Sequence, residues 1–385
     1  MNQNGTNMGN AGKWPYLFLQ LPVIILLCLL FVPAIRQWFA DAGMRWVYIF
    51  SLSFSAAFLG TPVFAALARK FKVMDIPDAR KTHGKPTPLL GGAAVFSAMV
   101  AAVALNGICS PGICLILAAG AVLFVVGTAD DAWEVRVRYK MMAQVLSTLL
   151  VMSGGIVLNV LPDSLGVFSI VGNWILTMIW IVGITNAMNF FDGMDGLAAG
   201  LGAMIAFFLS IIAVQTGQPF LGWVSAAVMG SCLGFLPYNL KPRGRASIFL
   251  GDGGSTVIGF VLACIAVYGK WAEHNAVVAI VSPLLIFWVL IFDMVYITVD
   301  RIYTGKVASF REWLEYVGRD HLHHRLADVL GSNRKSVVFI YMMTACMGIS
   351  ALVLRHASQV DALLLVLQAL ILVGLISVLE RYGRC

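Results

Sequence analysis

Five short polar segments in an otherwise apolar chain carry residue types that do chemistry. Asp130 and Asp131 stand side by side at the end of an apolar run. Adjacent carboxylates repel, so such a pair persists best where a cation or a proton needs it. Asn186, Asn189, Asp192 and Asp195 recur every third residue. That spacing gathers them near one face of a tight helical turn, while Gly193 and Gly196 permit close ligand approach. Asp252 lies within Phe249-Leu250-Gly251-Asp252-Gly253-Gly254-Ser255, where free backbone N–H groups, a helix start and a carboxylate suit a metal-bound phosphate. It is no Walker loop, because a Gly-Lys-Ser/Thr ending is absent. His321, His323 and His324, followed by Arg325, place three of the six histidines within four positions. With no cysteine nearby and no H-E-x-x-H, imidazole and guanidinium groups recognising a phosphorylated ligand fit better than a metal cage. The basic loop Arg80-Lys81-Thr82-His83-Gly84-Lys85-Pro86-Thr87-Pro88 can pair with phosphate oxygens, although a loop that only sets membrane orientation needs the same residues. His274 and His356 read as ordinary loop histidines.

The elements that position these segments must be membrane helices. Of the 385 residues 60% are apolar and 12% charged, far below the quarter or so usual in soluble domains. Twelve apolar stretches suited to crossing about 30 Å of hydrocarbon start near Tyr16, Val47, Leu90, Ile113, Met141, Phe168, Gly196, Phe220, Thr256, Ala276, Ser336 and Asp361. The expected fold is all-α, a polytopic transmembrane helical bundle of about 11–12 spans with cytoplasmic catalytic loops. Residues 1–46 read as an extra N-terminal transmembrane helix and outer loop, and 47–385 as one membrane domain. Only Lys13 precedes the first stretch and no small-residue cleavage site follows it, so it reads as a helix and not a signal sequence. An even number of spans puts both termini on one side, which then holds 22 Lys and Arg against four (Arg36, Arg45, Lys270, Arg355) on the other. The rich side is therefore cytoplasmic.

The net charge of +7 is spent in these short loops, so nucleic acid is not expected as a partner. Seven cysteines form no C-x-x-C; Cys109 and Cys114 share an outer loop, where two free thiols are favoured over a disulfide. Among acidic residues only Asp293 falls well within a span, as a functional carboxylate or a helix-to-helix contact. The series of intramembrane carboxylates expected of many ion-coupled transporters is missing, which makes transport the second reading.

In order from about Thr61 to Arg325, these motifs resemble the polyprenyl-phosphate N-acetylhexosamine 1-phosphate transferases of glycosyltransferase family 4. The pattern comprises the Arg80-Lys81-x-His83…Thr87-Pro88…Gly91-Gly92 loop, Asp130-Asp131, the Asn186 to Gly196 loop, the Gly251 to Ser255 turn and the histidine motif. The His-x-His-His form resembles undecaprenyl-phosphate N-acetylglucosaminyl 1-phosphate transferases more than the muramyl-pentapeptide type. The resemblance implies a plasma-membrane enzyme, its active site cytoplasmic, acting on a UDP-sugar and a polyprenyl phosphate, with homodimerisation open to it. It implies Mg²⁺ or Mn²⁺ on Asn189 and Asp252, and catalytic carboxylates at Asp130, Asp131, Asp192 and Asp195. It also implies substrate contacts from Lys81, His83, Thr87, Lys140, Asn186, Asp195, His321, His323, His324 and Arg325. Direct attack by the lipid phosphate ranks above a covalent aspartyl route. Two features depart from the family: the extra N-terminal helix, and the long aromatic stretch from Phe310 to Arg319.

Overall fold

The computed structural model describes residues 17–76, 86–241, 244–272, 276–309, 312–313, 316, 318–354 and 358–382. Fifteen α-helices run through them. The first six are α1 (Leu17–Leu30), α2 (Pro33–Asp41), α3 (Arg45–Phe71), α4 (Gly91–Leu105), α5 (Pro111–Trp133) and α6 (Val137–Ser153). Then come α7 (Val167–Phe190), α8 (Leu197–Gln215), α9 (Pro219–Asn239), α10 (Gly251–Tyr268), α11 (Ala276–Ile286) and α12 (Trp288–Tyr303). The last three are α13 (Leu322–Leu330), α14 (Asn333–Leu354) and α15 (Gln359–Tyr382). Antiparallel β1 (Met74–Asp75) and β2 (Thr87–Pro88) are the two strands among the described residues.

Local chemistry sets the starts. Proline opens α2, α5 and α9, where its missing N–H costs nothing. Ser110 caps α5 by accepting the Ile113 N–H at 3.3 Å, satisfying one orphan donor. Seven helices are long and apolar enough to span a membrane, and two bent pairs and two shorter apolar helices add further candidates.

Hydropathy alone could not show the bends. The apolar run from Ala276, expected as one span, is two helices meeting at 80°, and α1 and α2 meet at 78°. The outer loop expected after the first span thus contains α2. Cys109 and Cys114 are free thiols.

The centre of the bundle is α10, 89% buried over its apolar window, whereas α7 is 28% buried and faces outward. Around α10 pack α4, α5, α7 and α8. Glycines let them come close. A Cβ on Gly127 of α5 would lie 2.6 Å from the Gly253 Cα, and one on Gly254 would lie 2.6 Å from the Gly92 Cα on α4. Backbone-to-backbone approach of this kind is what small residues provide at membrane helix crossings. The crossing brings the N-termini of α4 and α10 and the C-terminus of α5 to one end of the bundle.

Candidate active site

The Asp252 segment is the first turn of α10, which begins five residues before the Thr256 start read from apolar sequence. Two of its leading N–H groups are taken by a carboxylate from another element. Asp131, in the last turn of α5, accepts from the Asp252 N–H at 2.8 Å and the Gly253 N–H at 3.3 Å. Asp192 stands near the Gly251 N–H without a hydrogen bond to it. Leu250, at the N-cap position, supplies no side-chain bond, so Asp131 caps the helix in trans and answers the positive end of its dipole. Gly251 has φ +77°, and a Cβ there would lie 2.6 Å from the Leu89 carbonyl. Only glycine takes both the left-handed backbone and that approach without strain.

Asp252 itself faces a cation. Lys140, in the first turn of α6, donates to Asp130 Oδ2 at 2.6 Å and to Asp252 Oδ2 at 3.0 Å. The Val135 N–H holds the other Asp130 oxygen at 2.7 Å. On the far side, Asn189 donates to Asp252 Oδ1 at 3.1 Å and to Ser255 Oγ at 3.0 Å. Asp130, Asp131, Lys140, Asn189, Asp192 and Asp252, drawn from five segments, therefore meet around the start of α10.

The third-residue spacing of the Asn/Asp segment does not gather its four polar residues on one tight turn: Asn186 and Asn189 lie on α7, and of the four only Asp192 falls in the turn. The helix α7 runs to Phe190, and a 3-10 turn, Phe191–Gly193, follows. Asp195 lies beyond it and accepts the Ala246 N–H at 3.0 Å. Gly196, at φ +84°, is held by Asn239, which accepts its N–H at 2.7 Å, and by Tyr341, which donates to its carbonyl at 2.6 Å. Asn186 is committed elsewhere: its amide and that of Gln144 bond reciprocally at 2.6 and 3.3 Å. Thr87 is buried in β2 opposite Asp75. Next to it the Pro88 carbonyl accepts the Phe249 N–H at 2.8 Å, which ties the basic loop's exit to the lead-in of α10. Lys81 and His83 lie outside the described residues.

The histidine segment packs on the same turn. His321 lies 4.8 Å from the Phe190 ring and His323 5.3 Å from Phe191. A Cβ on Gly193 would come within 2.8 Å of His323 Nε2. Among the described residues, both ring nitrogens of His323 and Nδ1 of His324 are buried without a hydrogen-bond partner, which is costly unless a ligand or water supplies one. Burial, followed by the charges of His324, His321, Arg319 and Arg325, pushes His323 well below its ordinary value. Burial and Arg319 lower His324 as well. Arg325 stacks 3.8 Å over Tyr296.

Sequence reasoning missed three supporting contacts. Ser255 shares Asn189 with Asp252, and its position three residues on, one helical turn, was the available signal. Gln144 anchors Asn186 through pairing that one sequence does not reveal. Arg301 grips Asp320 by two 2.8 Å bonds just before the histidines. Burial opposes charge on Asp320, but that guanidinium outweighs it and holds the carboxyl below its usual value.

Chemically the cluster suits phosphate handling. Among the described residues no three His, Cys, Asp or Glu side chains form a metal cage by themselves. The oxygen-rich donors Asp252 and Asn189 nevertheless fit a hard divalent cation that arrives with phosphates, since Mg²⁺ commonly takes one or two carboxylates plus substrate oxygens and water. The Lys140 ammonium between Asp130 and Asp252 marks a position where the fold already stabilises positive charge.

Comparison with known proteins agrees with this geometry. The model of glycosyl transferase family 4 matches residues 113–270. The chain is 33% identical to a Bacillus subtilis protein named probable undecaprenyl-phosphate N-acetylglucosaminyl 1-phosphate transferase, covering 82% of this chain and 86% of that one. It is 31% identical to a Mycobacterium leprae decaprenyl-phosphate N-acetylglucosaminephosphotransferase, over 85% and 88% of the two chains. An Escherichia coli O157:H7 undecaprenyl-phosphate alpha-N-acetylglucosaminyl 1-phosphate transferase is 28% identical over 82% and 88%.

Proposed function

The chain belongs to glycosyl transferase family 4, and from that membership we propose that it moves N-acetylglucosamine 1-phosphate from UDP-N-acetylglucosamine to undecaprenyl phosphate. The products are undecaprenyl-diphospho-N-acetylglucosamine and UMP. The reading sets the reaction at the cytoplasmic face of the plasma membrane, as the first lipid-linked step towards a cell-surface polysaccharide. The excess of basic residues on one side supports that placement, and the names of the relatives support donor and acceptor. The observation that carries the reading is the Lys140 bridge between Asp130 and Asp252 at the start of α10.

In this reading an oxygen of the lipid phosphate attacks the β-phosphorus of the donor. A new P–O bond forms, the bond from that phosphorus to the bridging oxygen breaks, and UMP leaves with the bridging oxygen. Two anions must meet, so charge neutralisation supplies much of the rate. Lys140 brings a fixed positive charge to the meeting point, and Asp130, held by Lys140 and the Val135 N–H, positions the lipid phosphate. A phosphate's second pKa near 6 leaves little proton to remove at neutral pH, so positioning outweighs base strength. Asp131 fixes the start of α10 and with it Asp252, and Asp192 adds its carboxylate beside them. Asp195 serves the nucleotide end, and the histidines with Arg325 the sugar and pyrophosphate. Mg²⁺ or Mn²⁺, held by Asp252 and Asn189, supplies charge neutralisation on the departing UMP when bound.

UMP release by purified protein given UDP-N-acetylglucosamine, undecaprenyl phosphate and Mg²⁺ tests the reading. Release should depend on lipid and be lost with EDTA and in Asp252→Asn. A folded, metal-supplied sample that releases no UMP from any UDP-N-acetylhexosamine would overturn it.

A further inference from the structure

Asp293 sits in the middle of α12 with no exposed surface. A buried carboxylate in an apolar span is costly unless its oxygens are satisfied. Both are. Oδ2 lies 2.7 Å from His321 Nδ1, Oδ1 accepts the Leu322 N–H at 2.6 Å, and Arg325 Nη2 stands 4.0 Å from Oδ1. One helical turn on, Tyr296 carries the Arg325 guanidinium on its ring. One face of α12 therefore holds the N-cap, the first residue and the first-turn arginine of α13. His321, as N-cap, makes no capping bond of its own, so Asp293 performs that task from another helix.

The same contact fixes the imidazole. A ring that gives Nδ1–H to a carboxylate has its Nε2 left to meet a ligand, and the carboxylate balances the ring when Nε2 takes a proton. Nδ1 is spoken for, and the ring lies against Phe190, next in sequence to Asn189 and so next to the Asp252 cluster.

We infer that Asp293 is a positioning residue: it anchors the start of α13 and holds His321 so that Nε2 is the atom offered to a phosphate oxygen of the sugar nucleotide. The inference rests on the proposed transferase reaction for its assay. It extends that reaction by giving the buried carboxylate a task.

Full-length protein assayed for lipid-dependent UMP release provides the test, with wild-type turnover as the check on the reaction itself. Asp293→Asn keeps the shape but loses the charge. It should lower kcat about 10- to 100-fold, by analogy with the loss of a carboxylate behind a metal-bound histidine, with KM for the lipid unchanged. Combined with His321→Gln, it should cost less than the product of the single losses, because the two residues act as one unit. Should Asp293→Asn fail to fold, the His321 replacements alone decide. A Gln amide nitrogen falls near the Nε2 position and an Asn amide nitrogen near Nδ1, so His321→Gln should retain more activity than His321→Asn. Wild-type turnover with His321→Asn the more active of the two, or with Asp293→Asn unaltered, would overturn the inference. Absence of turnover in wild type would instead count against the proposed reaction.

Discussion

The two halves of the candidate site are built on opposite plans. Around the start of α10, the charged groups are paired with opposite charge or backbone dipoles: Lys140 between Asp130 and Asp252, Asp131 on two N–H groups. Across the turn at Gly193, the histidine run keeps one ring anchored, on Asp293, and leaves three nitrogens of the next two rings buried and, among the described residues, unpaired. The carboxylate half is assembled before any ligand arrives. The histidine half carries unmet hydrogen-bonding capacity that a ligand can fill, so its share of binding is realised when substrate completes it.

Lys140→Ala should break that comparison most severely. With the ammonium gone, Asp130 and Asp252 repel each other, and turnover should fall about 10³-fold, the upper range for losing one preorganised electrostatic contact. UMP release at saturating donor and lipid measures it; a loss below tenfold would mean that the bridge is a resting-state contact only.

A smaller effect should come from the seam between the halves. The new Cβ in Gly193→Ala falls 2.8 Å from His323 Nε2, forcing a ring packed between Phe191 and His324 to shift. Misplacement near 1 Å can cost up to about 10²-fold. The loss should be absent from the carboxylate half, so EDTA sensitivity and the Asp252→Asn deficit should be unchanged in the variant.

The smallest effect is on stability. His323 has its folded value pushed below the unfolded one. Below an unfolded pKa of about 6.5 the unfolded chain takes up a proton that the folded chain refuses. This contribution is whole above that pH and is lost as pH falls, at no more than about 1.4 kcal/mol per unit from this residue. Thermal unfolding in detergent between pH 7.5 and 5.5 should show Tm dropping, and His323→Phe should flatten the slope.

Much of the carboxylate half was legible in the sequence, because its parts are short runs of unlike residues against an apolar background. Asp130-Asp131, the Asn/Asp segment and the Gly251 to Ser255 turn do meet, but the third-residue period runs from α7 through the 3-10 turn and past it to Asp195, so the four residues share no single turn. The start of α10 was read five residues late, since Gly251, Gly253 and Gly254 are poor helix formers and what fixes them is Asp131, over a hundred residues away. The choice left open for Asp293, functional carboxylate or helix contact, was unresolvable because its partner lies on another element. The breaks between α1 and α2 and between α11 and α12 were hidden for a related reason. Hydropathy records how apolar a stretch is, and Pro283, inside α11, gives no angle. Asn186 shares the motif's spacing, yet its amide went to Gln144.

The glycine crossing of α4, α5 and α10 has a consequence for how the protein tolerates different lipids. A bilayer thicker or thinner than the apolar belt is accommodated by helices that tilt. Outlying α15, packed on α11 and α14, has room for this, but α10 cannot tilt against α4 or α5 without driving backbone into backbone at Gly92, Gly127, Gly253 and Gly254. Hydrophobic mismatch is thereby absorbed at the rim of the bundle, and the spacing among Asp130, Lys140 and Asp252 stays insensitive to acyl-chain length.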